Sequence, residues 1–288
     1  MTTAPLTRPL RPRRRRRRPW PTYAALTLFA LPWVVLPLWI LVVNSFKSQG
    51  EASTPSLSWP TSWHVIDNYR TVIDQGHYLT SLVNSLIITV PVILAVILLG
   101  TMAAWAYARS SSRGLRFAYY ATSVSIILPP AIIPTVWVLT QLGIQGTHLG
   151  YLLTLVGTRL GVVVFLTTGY IRALPDDYEE AAQLDGASKW RIYWSVILPL
   201  LSPVLFTAAV MLVINVWNDF LFALFLLRGE GAATLPLSLY QFASASVNNV
   251  SWNLVFAHVV LTSLPLLVAY IVLQRRVLSG LTDGGVTG

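Results

Sequence analysis

Few residues of this 288-residue chain could do chemistry, and the most telling are polar groups set among apolar neighbours. Asp219 lies in a run of aliphatic and aromatic side chains, with Asn215 four residues before it and Asn218 adjacent. An ionisable group in such a setting is costly and usually faces a cavity or a partner. On an unbroken helix, Asn215 and Asp219 share one face, with Asn218 beside it. Arg159 occupies a comparable place in another apolar run; counting inward at 1.5 Å per residue, both charges lie roughly 12 Å deep. Two outcomes are open. The charges pair or share a polar cavity, or Arg159 snorkels outward while Asp219 bonds to backbone or to another subunit.

Reaction chemistry lacks its parts. There is no cysteine, which excludes disulfides, thiolate metal sites and cysteine nucleophiles. No Gly-x-x-x-x-Gly-Lys-Ser/Thr loop is present to cradle a phosphate, so ATP, if used, is bound by another chain and no cofactor is expected here. Of the four histidines, His64, His77 and His148 lie outside the apolar runs, and His258 reads as an interhelical donor. A membrane-embedded enzyme would need a convergent set such as Ser with His, and none is visible. Gln141 and His148 stand near one surface, where they could meet a solute or a delivery protein.

The elements that must position these groups are membrane helices. Hydrophobic residues make up 55% of the chain and charged residues 11%, less than half the usual soluble share. The formal charge of +9 is a property of the amino-terminal tail, since Arg8, Arg11 and Arg13 to Arg18 supply most of it. Clustered Arg beside an apolar run favours anionic lipid, and no nucleic-acid-binding motif follows. Runs long enough to span predict helices near 23–43, 83–107, 117–142, 151–171, 200–227 and 254–273. The first run ends without small residues at a cleavage site and reads as a retained span. The fold class is therefore all-α, with six transmembrane helices. Residues 1–20 form a basic tail, 21–280 the membrane domain and 281–288 a short end.

Orientation follows from Lys and Arg, which collect in short cytoplasmic loops. With both termini inside, sixteen of the 20 basic residues fall on inner segments and three, Lys47, Arg70 and Arg228, on outer ones. Pro129, Pro130 and Pro134 interrupt the third run and free carbonyls that need a protein-lined or wet environment, so that helix either lines a path or is simply kinked. The outer stretch Asn44–Ser81 carries Trp59 and Trp63, as interfacial anchors or as a docking surface for a partner.

The inner stretch 172–199 breaks the cation pattern, with Asp176, Asp177, Glu179, Glu180 and Asp185 against three basic residues. At this length it forms structure of its own rather than a connector. Pro175 suits a first helical turn, the acids complement the helix dipole, and Ala181 and Ala182 favour helix. Gly186 supplies a left-handed or close-packed position at which a short helix can end. A second short helix follows, closed by Pro199 before the fifth span. The product is an acidic helix–Gly–helix suited to a groove in another protein.

This segment resembles the EAA loop of bacterial ABC importer permeases, through Glu180-Ala181-Ala182, Gly186 and Leu198-Pro199, with Val196 where the family usually carries Ile. The resemblance runs from about Leu36 to Gly280 and is closest to maltose-type sugar permeases. Asn44-Ser45-Phe46-Lys47, Asp67-Asn68-Tyr69-Arg70, Asn84-Ser85-Leu86 and Trp217-Asn218-Asp219-Phe220 carry it in order. It implies a multi-pass subunit of the bacterial plasma membrane that works with an ATP-binding-cassette ATPase dimer, a second permease subunit and an extracytoplasmic solute-binding protein. It also implies that Glu180, Ala181, Ala182, Asp185, Gly186 and Ala187 dock on the ATPase. Proton-coupled secondary transport is the alternative; it calls for internal repeats, and none is evident.

Overall fold

The computed structural model describes residues 20–129, 131–229, 231–245 and 250–283, and the side chains of 21, 22, 25 and 272–283 are not among them. The arginine-rich tail, Pro130 and the last five residues fall outside that set. The first helix, α1 (Trp20–Asn44), is followed by the short α2 (Gln49–Ala52) and by α3 (Val65–Gln75). Then come α4 (Tyr78–Arg109), α5 (Arg113–Val124), α6 (Ile132–Gln141) and α7 (His148–Ala173). The chain continues through α8 (Asp177–Leu184), α9 (Lys189–Leu200), α10 (Ser202–Trp217) and α11 (Leu221–Leu226). It ends with α12 (Leu235–Ser244) and α13 (Trp252–Asp283). Among the described residues there is no strand, only a single parallel bridge between Gly146 and Leu227.

Among the described residues four helices, α1, α4, α7 and α13, are long and apolar enough to cross a membrane. The third and fifth expected spans are not single helices. Residues 117–142 divide into α5 and α6, separated by a non-helical stretch that contains Pro129. Pro129 can donate no hydrogen bond to a helix, whereas Pro134 sits in the first turn of α6, where its missing N–H costs nothing. The fifth span bends by 75° between α9 and α10. Pro199 does not close the preceding segment: α9 runs through it to Leu200, with a π-helical turn at Tyr193–Ile197, and the chain turns at Leu201. The span breaks again after Trp217, so Asn218 to Phe220 are non-helical.

The core lies along α4 and α7, which pack against each other more extensively than any other pair of helices among the described residues. Gly100 permits it: a Cβ there would fall 2.9 Å from Val163 Cγ1, so a side chain could enter only if Val163 or the helix itself shifted. Ile88, Val92, Val96, Leu155 and Val163 are buried along this face, and α10 adds Ala208 and Leu212. Segments expected on opposite sides of the bilayer gather at opposite ends. Arg109 and residues 174–187 meet at one end. Ser45 to Asn68, Asn84, 231–235 and Asn253 meet at the other.

Candidate functional site

The acidic segment folds as a helix that ends in a glycine. α8 carries Asp177, Glu179 and Glu180 in its first turn, where the helix dipole favours negative charge. Pro175 stands before the helix rather than in its first turn. Gly186 has φ +77°, and its N–H donates to Gln183 O at 2.9 Å while Ala187 N–H donates to Ala182 O at 3.0 Å. Those two bonds make a Schellman motif, which leaves the chain free to turn into α9.

The six residues expected to dock divide between two faces. Glu180, Ala181, Asp185 and Gly186 are exposed, beside Tyr178 and Leu184, and Leu184 is 90% exposed. Ala182 and Ala187 are partly buried against Ala104, Ile171, Ile192, Tyr193 and Ile197 of the same chain. Glu179 is buried. Its Oε1 accepts from Arg109 Nε at 2.7 Å and its Oε2 from Trp105 Nε1 at 3.0 Å. Arg109 also meets Asp176 at 2.5 Å and donates to Leu174 O at 3.3 Å. By sequence alone Arg109 is an orientation marker, and nothing in its spacing points to a partner 70 residues away.

Within the apolar layer, Arg159 and Asp219 pair: Arg159 Nη2 lies 3.2 Å from Asp219 Oδ2, and Tyr151 OH donates to Oδ1 at 3.1 Å. The broken span alters the expected geometry. Asn215 and Asp219 do not share a helical face, because α10 ends at Trp217 and the next residues swing Asp219 inward against α7. Asn215 and Asn218 are exposed, and their Nδ2 groups donate to Met211 O at 2.8 Å and Ile214 O at 2.9 Å. A cavity of about 580 Å³ opens beside the pair, lined by Ser125, Pro129, Thr135, Thr158, Arg159 and Asn215 among others. An adjoining recess of about 390 Å³ is bordered by Arg159, Asn215, Asn218 and Asp219. The non-helical stretch at Pro129 thus faces a cavity, which is where irregular backbone inside a membrane can be tolerated.

The opposite end is knotted by the short motifs noted in the sequence. Lys47 is buried, and its ammonium donates to Asn44 Oδ1 at 3.0 Å, Ser56 Oγ at 2.7 Å and Ser56 O at 3.3 Å, which uses all its donors on neutral oxygens. Asn68 donates to Ser45 O and Lys47 O and accepts from Asn253. Asn84 donates to Gly231 O at 2.6 Å and Ala233 O at 3.0 Å. Trp59 packs edge-on against Trp39 and beside Trp63. His148 Nε2 lies 3.1 Å from Ala232 O, Gln141 is exposed, and His258 is buried near Ser238 Oγ. No cluster of metal-ligating side chains occurs among the described residues.

A family described as binding-protein-dependent transport system inner membrane component matches residues 83–282. The chain is 34% identical over 267 residues to the "probable starch degradation products transport system permease protein AmyC" of Thermoanaerobacterium thermosulfurigenes, covering 90% of this chain and 93% of that one. It is 32% identical over 265 residues to the diacetylchitobiose uptake system permease protein NgcG of Streptomyces coelicolor, covering 91% and 87%. In fold it is similar to a chain of a bacterial ABC transporter involved in the import of the acidic polysaccharide alginate, with a TM-score of 0.74 and 24% identity over 91% of this chain and 98% of that one.

Proposed function

This chain belongs to the binding-protein-dependent transport system inner membrane components, and from that premise we propose that it forms part of the path by which an ATP-driven importer takes up an oligosaccharide or related solute. It is a transport subunit rather than an enzyme, seated in the bacterial inner membrane. It works with a separate ATPase, a second permease and an extracytoplasmic binding protein. The relatives named for starch degradation products and diacetylchitobiose support the solute class. So does the cavity, whose Ser, Thr, Asn and Arg side chains offer hydrogen bonds to hydroxyl groups.

The observation that carries the mechanism is the exposed face of α8. An apolar Leu184 held out in the open beside Glu180, Ala181, Asp185 and Gly186 suits a protein partner better than water. We assign that face to the ATPase, with Ala182 and Ala187 seating the helix on its own subunit. ATP binding closes the ATPase pair, draws the coupling segments together and shifts the cavity between inward-open and outward-open states. We further assign six spans with both termini cytoplasmic: α1, α4, the α5–α6 pair, α7, the bent α9–α11 and α13. Residues 1–20 are then the basic cytoplasmic tail, 21–280 the permease domain and 172–199 the coupling loop.

The test is reconstitution with the three partners and labelled malto- or chito-oligosaccharides. Uptake should require ATP and withstand a protonophore. Gly186→Val should insert normally, because a Cβ there meets nothing. It nevertheless strains a left-handed position by about 1–2 kcal/mol and adds bulk to the docking face, so binding-protein-stimulated ATP hydrolysis should be lost. Unchanged hydrolysis in that variant would remove α8 from the interface.

A further inference from the structure

We propose that the Arg109–Glu179 ion pair is a positioning element that fastens α8 to the end of α4, so that α4 carries the stroke of the ATPase into the membrane. The proposal rests on the reading of α8 as the docking helix and goes beyond it, since docking alone does not say what inside the permease is pulled.

The geometry at the joint is that of a fastener. Glu179 is 8% exposed whereas its neighbour Glu180 is exposed, so one acid of the pair faces the permease and the other faces outward. Both carboxylate oxygens of Glu179 are engaged, by Arg109 Nε and Trp105 Nε1, and these two residues lie one turn apart on α4. The planar guanidinium of Arg109 spreads over three acceptors, the Glu179 and Asp176 carboxylates and Leu174 O. An arginine fork held by three acceptors fixes direction as well as distance, which a lysine cannot do. A solvent-exposed ion pair would contribute little. Here the acid is desolvated, and separating the pair would leave a buried charge without a counterpart.

A second attachment lies nearby. Thr101 Oγ1 and Tyr193 OH are 2.7 Å apart in a buried setting, and the Trp105 and Tyr193 rings lie 5.9 Å apart. The stretch of α4 from Thr101 to Arg109 therefore grips both limbs of the coupling segment, α8 through Glu179 and α9 through Tyr193. Gly100 locks α4 closely to α7, which carries Tyr151 and Arg159 of the buried pair. At its other end, about 38 Å away along the helix at 1.5 Å per residue, α4 holds the 231–235 loop through Asn84 and Ser85. A pull on α8 is thereby delivered to α4 and α7 together, and reaches both the cavity wall and the far loop.

The chain has no cysteine, so a covalent substitute for the ion pair can be installed cleanly. The Arg109→Cys/Glu179→Cys variant is assembled with the ATPase, second permease and binding protein, then assayed before and after bridging with a short bismaleimide. Without the bridge it should keep its ATPase through purification but lose binding-protein stimulation of ATP hydrolysis by about tenfold, within the usual range for coupling between sites. The bridge should restore stimulation. Stimulation that is intact without the bridge, or still lost with it, overturns the proposal while docking on α8 stands. Leu184→Asp tests docking separately: it should release the ATPase, and retention would overturn docking itself. Arg109→Lys gives a milder reading if the cysteine pair accumulates poorly. With the cation kept and the fork lost, stimulation should fall about threefold at unchanged ATPase association, and no fall would overturn the fastener.

Discussion

A carboxylate that is 9% exposed within an apolar bundle must have its charge answered locally, and Arg159 and Tyr151 answer that of Asp219. Removing one partner of a buried pair costs more than the pair itself contributes, because the survivor stays desolvated. Arg159→Ala is therefore expected to destabilise the protein by about 3–5 kcal/mol, read as a fall in unfolding temperature in detergent. Tyr151→Phe, which removes a donor to the buried carboxylate, should cost about 1.5–3 kcal/mol. Exchanging the charges, Arg159→Asp with Asp219→Arg, should recover most of the stability and uptake lost in the single exchanges. A double variant as impaired as either single would assign the two residues separate roles. The pairing also bears on energy coupling: an acid already engaged with Arg and Tyr is poorly suited to be the free proton carrier that secondary transport would need.

Among the elements, the breaks carry as much meaning as the helices. The α5–α6 gap at Pro129 borders the cavity, and the end of α10 at Trp217 turns Asp219 toward α7 while leaving Asn215 and Asn218 exposed. An unbroken fifth helix would have pointed Asp219 along the face of Asn215. Elsewhere an irregular segment is held by a helix side chain: Asn84 of α4 satisfies two carbonyls of the 231–233 loop. Asn84→Ala should strand those carbonyls at a local cost of about 1–3 kcal/mol. Hydrogen exchange should then speed up across 231–235 while α8 is unaffected, and uniform acceleration throughout the chain would argue against a local tether.

Across the whole molecule, the arrangement is a bundle whose two ends are built differently, one carrying α8 and the other gathering the 44–78 knot and the 231–235 loop. The six-span assignment makes a definite topological prediction. On the cysteine-free background, Leu57→Cys should react with a membrane-impermeant maleimide in intact spheroplasts. Ser112→Cys and Leu184→Cys should react only after permeabilisation. Labelling of all three from outside would reverse or abolish the assignment and with it the place of α8 beneath the membrane.

The properties that the amino-acid sequence determined by itself are those written in contiguous residues. Apolar length, the distribution of Arg, the Pro-acid-Ala-Ala-Gly order of the 172–199 segment and its resemblance to the EAA loop need no knowledge of neighbours. A helix end at Gly186 is legible for the same reason, since the bonds that form it close within six residues, although the sequence left a left-handed and a close-packed position both open there. The sequence could raise Arg159 with Asp219 as a pair, from their similar depth, yet left it as one of two outcomes. Only the tertiary structure decided it, because a contact across 60 residues depends on which helix faces meet and on where a span is interrupted. The same holds for Arg109 with Glu179 and for Asn84 with the 231–233 loop. Close packing of α4 on α7, permitted by Gly100, sets those faces, and no local spacing encodes it.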